Sequence, residues 1–83
     1  MGRVPTLRLF AAARDAAGTG SDVIEGGTLA EVLARAEARY GARFRDLLPT
    51  CRVWVNGDEA SLQSAVGPDD EVAVLPPVSG GAS

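Results

Sequence analysis

One stretch of this chain can form a long amphipathic helix, and segments that alternate with period two bracket it on both sides. Leu29, Val32, Leu33, Ala36 and Tyr40 recur at three- and four-residue spacing, with Glu31, Arg35, Glu37 and Arg39 between them. That pattern gives a helix one apolar stripe to bury. The alternating segments on either side offer a sheet to cover it, which predicts a helix laid on a sheet. Thr28-Leu29-Ala30-Glu31 has capping-box spacing and sets the helix start behind Gly26-Gly27, because the Thr28 hydroxyl and the Glu31 carboxylate can each satisfy an orphan amide. Gly41 suits a left-handed residue just past the helix end. Residues 42–48 read as a second short helical piece that turns Phe44 and Leu47 or Leu48 inward before Pro49 ends it.

Thr6-Leu7-Arg8-Leu9-Phe10 alternates, which places Leu7 and Leu9 on one sheet face and Arg8 and Phe10 on the other. The alanine-rich run to Gly18-Thr19-Gly20 predicts a short helical turn and a loop, and Ser21-Asp22-Val23-Ile24-Glu25 returns as a second strand in a wide hairpin. Arg52-Val53-Trp54-Val55 is a third strand. Asn56-Gly57 follows it, and both positions tolerate the positive φ of a tight hairpin turn, so Asp58-Glu59-Ala60 comes back as a short edge. Gly67-Pro68-Asp69-Asp70 is a turn leading to the last strand, Glu71-Val72-Ala73-Val74-Leu75. The order strand, strand, helix, strand, short strand, strand predicts an α+β, β-grasp (ubiquitin-like) fold: a mixed sheet of four to five strands around one main helix. Its first and last strands run parallel at the centre, which requires a helical crossover.

Composition removes several function classes. Eighty-three residues make one small domain. The chain has no histidine and a single cysteine, Cys51, so imidazole-based nucleophile pairs, an internal disulfide and a thiolate zinc cluster are all out of reach. No metal site is expected. All eight basic residues are arginine against eleven acidic ones, a net charge of −3, which argues against a nucleic-acid partner and for a protein with a basic surface. No apolar run approaches the length of a membrane span and no secretion signal precedes the first strand, so the expected compartment is the cytoplasm, with no membrane partner.

The end of the chain carries the functional signal. Residues 1–75 read as the domain and 76–83 as a flexible tail: Pro76-Pro77 denies the sheet two donors and stops the last strand. Val78-Ser79-Gly80-Gly81 then offers a backbone without Cβ atoms at its tip, which a partner can close around tightly. Fully extended, the six residues from Pro76 to Gly81 span about 20 Å.

Leu9-Phe10-Ala11 with Arg14-Asp15 and Gly18, the Thr28-Leu29 helix start, Val55-Asn56-Gly57, Gly67-Pro68-Asp69-Asp70-Glu71-Val72 and the tail Leu75-Pro76-Pro77-Val78-Ser79-Gly80-Gly81 together resemble the ubiquitin-like sulfur carrier family: the molybdopterin synthase small subunit and the thiazole- and cysteine-forming carriers. The resemblance covers essentially the whole chain. It implies a protein cosubstrate with no catalytic residues of its own and no bound cofactor. An E1-like adenylating enzyme would use ATP to activate Gly81, and a sulfur donor protein would convert it to a thiocarboxylate. Gly80, Ser79 and Val78 would thread into the partner, and a sulfur-accepting synthase large subunit would take the sulfur. Molybdenum cofactor biosynthesis is the favoured destination; cysteine, thiamin and specialised thio-metabolite pathways are alternatives. Ala82-Ser83 departs from the pattern, since it places Gly81 inside a peptide bond. Three explanations stay open: a precursor that a peptidase trims between Gly81 and Ala82, a chain variant inactive until processed, and a cloning scar.

Docking is expected to use outward residues near the tail, Phe10 and Leu75 by strand parity, with Trp54 open between an outward and a core position. Cys51 reads as a small apolar residue, Arg14-Asp15 as a solvated pair, and Asp69-Asp70-Glu71 as a charged turn. Two readings from other classes compete: a ubiquitin-like modifier joined through Gly81 to target lysines, and a β-grasp interaction module with an inert tail.

Overall fold

The computed structural model describes residues 4–77. Its elements are β1 (Thr6–Leu9), α1 (Ala11–Ala17), β2 (Ser21–Val23), α2 (Leu29–Tyr40), α3 (Ala42–Leu47), a 3-10 turn at Leu48–Thr50, β3 (Arg52–Val55), β4 (Asp58–Glu59) and β5 (Glu71–Leu75). One five-stranded sheet runs in the order β2-β1-β5-β3-β4. β1 and β5 are parallel, with Leu7 opposite Val72 and Leu9 opposite Val74, and every other pairing is antiparallel. This is the β-grasp arrangement.

Side-chain alternation decides which face the helix covers. Leu7, Leu9, Val72 and Val74 point to one side and are essentially buried, and α2 lays Leu29, Val32, Leu33 and Ala36 over them. Ala13, Ile24, Phe44, Leu48 and Val66 close the ends of the same core. Fully buried Phe44 meets Tyr40 edge-on, with ring centroids 5.2 Å apart, which packs α3 against the end of α2.

The local signals settle into the expected elements with three changes. At the start of α2 the Glu31 amide donates to Thr28 Oγ1 at 3.2 Å, while Glu31 Oε1 accepts from the Gly27 amide at 2.7 Å. The carboxylate thus serves the residue before the cap. Gly41 has the expected positive φ, but at φ 98 and ψ −167 it lies outside the left-handed helical region, in one that essentially only glycine enters. The reason is that Gly41 both ends α2, donating to Glu37 O, and accepts from the Arg45 amide to begin α3. Pro49 does not terminate the second helical piece but sits within the 3-10 turn. A proline near the start of such a turn forfeits no bond, because that amide has no intrahelical acceptor.

Two strands are shorter than the alternation predicts. β1 stops at Leu9 and β2 at Val23, although the Ile24 amide still donates to Pro5 O. Ala11, at φ 49, reverses the chain from strand into α1. Asn56 and Gly57, at φ 52 and 86, make the tight turn of the β3–β4 hairpin.

Candidate functional site: the open sheet face and the tail root

α2 covers one face of the sheet, and the other carries the alternate residues. Ser21, Arg8, Ala73, Trp54 and Glu59 form one row across all five strands, since each is the registered partner of the next. Trp54 is therefore on the open face, half-buried by its neighbours, which resolves the two positions left open by sequence. The next row pairs Leu75 with Arg52. Phe10 lies beside Leu75, because its amide donates to Val74 O at 3.3 Å and carries the parallel ladder one residue beyond Leu9. Phe10 is 40% exposed and Leu75 37%.

An ion pair lies against the Phe10 ring. The Arg8 guanidinium carbon stands 5.9 Å from the Phe10 ring centroid while its Nη1 reaches Glu71 Oε2 at 3.3 Å. A cation over the ring face favours one ring orientation. The reversal at Ala11 takes the chain away from the face directly after Phe10, so α1 does not cover the ring.

β5 is the central strand, bonded on one side to β1 and on the other to β3. Its end at Leu75 is the root of the tail, and Pro76 and Pro77 follow it out of the sheet. The root is anchored by the ladders of two neighbours, so whatever follows starts from a fixed point. Val78, Ser79, Gly80, Gly81 and Ala82, which sequence reasoning places in threading, sulfur carriage and processing, lie outside the described residues.

The start of β5 is tied down by a contact that sequence reasoning missed. Asn56 Nδ2 donates to Asp70 Oδ1 at 2.9 Å, Asn56 Oδ1 accepts from the Glu71 amide at 2.9 Å, and Asp70 Oδ2 accepts from the Gly67 amide at 2.7 Å. The Gly67 amide, and then Asn56, hold the Asp70 carboxyl below its ordinary range. This carboxylate is thus spent on the turn. Nothing in either local sequence marks residues fourteen positions apart as partners.

Cys51 is half-buried, and its thiol donates weakly to Leu47 O at 3.5 Å. Burial pushes its pKa up, which keeps it as a thiol. It faces a recess of about 580 Å³ on the helix side of the sheet, with Leu29, Leu33, Leu48 and Leu62. The sequence did not announce that recess, since its walls come from three separate stretches of the chain, 29–37, 48–53 and 59–62.

A mixed five-stranded sheet with its central strand leading into the C-terminal tail, and an open apolar patch at that exit, defines a ubiquitin-like protein of the β-grasp class. The chain belongs to the ThiS family, which it matches over residues 7–81, and so to the ubiquitin-like sulfur carriers. It is similar to small archaeal modifier protein 1 from Methanosarcina acetivorans, at 26% identity over 98% of this chain and 99% of that one, with a TM-score of 0.83. Two further structures share the fold. One is described as molybdopterin converting factor subunit 1 from Pyrococcus furiosus, at 23% identity over 92% and 99% of the chains with a TM-score of 0.81. The other comes from the BexX/CysO complex of Amycolatopsis orientalis, at 24% identity over 93% and 99% with a TM-score of 0.79. Among the described residues, no helix is long and apolar enough to cross a membrane.

Proposed function

We propose that this chain is a sulfur carrier whose Gly81 carboxylate is adenylated and then converted to a thiocarboxylate. A carboxylate is a poor electrophile, so the first step belongs to an E1-like partner. The Gly81 carboxylate attacks the α-phosphorus of ATP and releases pyrophosphate. The terminal sulfur of a donor persulfide then attacks the acyl carbon, and AMP leaves with the electron pair. A second thiol cleaves the S–S bond, itself becoming a disulfide, and the thiocarboxylate is free to act as a nucleophile on a substrate held by the accepting synthase. The chain itself contributes position. Gly80, Ser79 and Val78 thread the channel, and Phe10 and Leu75, with Trp54 beside them, dock the body.

The observation that carries this reading is the origin of the tail on the central strand, next to an exposed aromatic and aliphatic pair. The family match ends at residue 81, which supports removal of Ala82-Ser83 by a peptidase before activation. Carriers of this family work with E1-like activating enzymes and sulfur-accepting partners. Molybdopterin formation is the favoured destination, on the strength of Phe10-Ala11, Arg14-Asp15 and the Pro76-Pro77-Val78-Ser79-Gly80-Gly81 tail. On that destination the chain is the small subunit of a synthase, and cytoplasm is its place of work.

A second reading, conjugation of Gly81 to target lysines, is favoured by the similarity to small archaeal modifier protein 1. One experiment separates the two. A Gly81-terminated chain is incubated with an adenylating enzyme, ATP and a sulfur donor. Exchange of one oxygen for sulfur in its intact mass supports the carrier; isopeptide adducts on other proteins, with no sulfur gain, support the modifier; and an unchanged chain overturns both.

A further inference from the structure

We propose that the recess between α2 and the β3–β4 hairpin, together with the open edge of β4, is a docking groove for an extended segment of a partner protein that carries aliphatic side chains and one lysine or arginine on the same face. The groove is separate from the Phe10 and Leu75 patch and does not depend on any chemistry at Gly81.

The two edges of the sheet are finished differently. In β2 the Leu9 amide donates to Gly20 O and the Ile24 amide to Pro5 O, so the backbone groups of the alternate residues Ser21 and Val23 point away from β1. Side chains take them all. Thr19 Oγ1 accepts from the Ser21 amide at 3.4 Å and donates to Ser21 O at 2.9 Å, Asp22 Oδ1 accepts from the Val23 amide at 2.8 Å, and Arg39 Nη1 donates to Val23 O at 2.9 Å. A strand adding there would have to break these bonds. At β4, Val55 and Asp58 flank the tight turn and the Ala60 amide donates to Val53 O at 3.3 Å, so Glu59 between them turns its N–H and C=O away from β3. Among the described residues nothing bonds to either group. β4 is therefore the edge left open to a partner strand.

The recess beside that edge supplies the apolar contact. Ala30, Ala34 and Glu37 line it at helical spacing along α2, and both alanines are exposed. Their short side chains leave the groove open over about 10 Å of helix. Leu62, which is 54% exposed, stands in its wall with Leu48 and Ala60. The volume, about 580 Å³, is that of a ligand cleft. Ala60 lies beside Val53, whose registered partner Val74 is in the core, so this side of the edge is the helix side. A strand bonded to Glu59 sends the residues flanking its bonded one to that side, and positions two apart enter the recess together.

Charge selects among extended segments. Arg52, Glu59 and Glu37 line the recess; Arg52 and Glu59 pair with each other at 3.4 Å, whereas the half-buried Glu37 carboxylate has no partner among the described residues. One uncompensated negative charge remains, in a chain of net charge −3. A cationic side chain reaching Glu37 gains an ion pair, and an acidic one is repelled. Because the groove lies on the helix side and Phe10 and Leu75 on the open face, a partner seated in it leaves the tail root free.

The test titrates the isotope-labelled full chain with a capped peptide, Thr-Ile-Thr-Lys-Thr-Ile, read by amide chemical shifts. Saturable shifts at Ala34, Glu37, Glu59 and Leu62, with a Kd of about 1 mM or tighter, are expected. Glutamate in place of the peptide's lysine, N-methylation of its central amides, and Ala34→Arg in the chain are each expected to weaken binding about tenfold. In Glu37→Gln the lysine and glutamate peptides should bind within about twofold of each other. Ala38→Arg, at an exposed position on the recess with Val4 and Val23, should bind as wild type. Circular dichroism of the variants, expected to match wild type because arginine and glutamine are good helix formers, separates lost binding from lost fold. The proposal is overturned if no shift saturates, if the shifts map to β2 or to Phe10 and Leu75, or if Ala34→Arg or the N-methylated peptide binds undiminished. Self-association of the chain alone through Ala34 and Leu62 would also overturn it, by making a second copy the occupant. No adenylating enzyme or sulfur donor enters the test, so its failure is distinct from failure of the sulfur-carrier reading.

Discussion

The Tyr40 hydroxyl donates to Asp22 Oδ2 at 2.7 Å and ties the last turn of α2 to the edge strand β2. Arg39 reaches the same oxygen at 3.1 Å and the Val23 carbonyl at 2.9 Å. The Tyr40 phenol above all, then Arg39 and the Val23 amide, hold the Asp22 carboxyl below its ordinary range against an opposing effect of burial. Burial and the adjoining carboxylate push the Tyr40 phenol up.

Acid sensitivity at the β2 edge follows. A depressed carboxyl contributes stability above its unfolded pKa of about 4 and loses it as pH falls through the folded value. Asp22→Asn is expected to cost about 1–2 kcal/mol at neutral pH, with the gap from wild type closing as pH falls from the unfolded value through the lowered folded one. Urea midpoints at neutral and acid pH check this. The raised Tyr40 phenol works in the other direction: its share is complete below about pH 10 and lost as pH rises further. Tyr40→Phe should therefore flatten the alkaline limb.

The approach to α2 is tight at one glycine and open at the next. A Cβ on Gly26 would stand 2.7 Å from Val32 Cγ2 and 2.9 Å from the Val32 amide nitrogen, whereas one on Gly27 would meet only Glu31 Oε1 at 3.5 Å. Because Val32 is buried and its backbone is in the helix, Gly26→Ala is expected to lose about 1–3 kcal/mol. Gly27→Ala should stay within about 0.5 kcal/mol of wild type. Thermal unfolding of the two variants side by side decides it.

Ala11 holds a positive φ that an L side chain adopts at a cost of about 1–2 kcal/mol. Ala11→Gly is expected to leave stability unchanged or raise it by up to about 1 kcal/mol, because relief of strain offsets the added chain entropy. Ala13→Gly, at a fully buried position inside the same helix, should instead lose about 1 kcal/mol or more. Equal losses at both positions would contradict the strain at Ala11.

The two phenylalanines should separate folding from docking. Phe44 is fully buried, and Phe44→Ala is expected to cost about 3–5 kcal/mol, most of what so small a domain has to spend. Phe10→Ala should change stability by less than about 1 kcal/mol and weaken association with the sulfur-accepting partner about tenfold. Calorimetric titration with that partner, beside a denaturation curve, reads both quantities.

Much of this was legible in the sequence because its causes are local. The Thr28 cap, the α2 stripe, the Asn56-Gly57 turn and the outward parity of Phe10 and Leu75 each follow from residues within a turn or two of one another. Gly41 shows the limit of such reasoning. Its positive φ was foreseeable, yet its ψ was set by a second helix that had to start in a new direction at once.

By itself the sequence determined the kind of elements, their order, and a Gly80-Gly81 tail behind two prolines, since propensity, periodicity and capping act over a few bonds. Tertiary structure alone decided that Trp54 faces outward, that Asn56 latches Asp70, and that Tyr40 and Arg39 converge on Asp22. Those outcomes depend on strand register and on segments far apart in the chain, which meet only when the apolar faces of helix and sheet are driven together out of water.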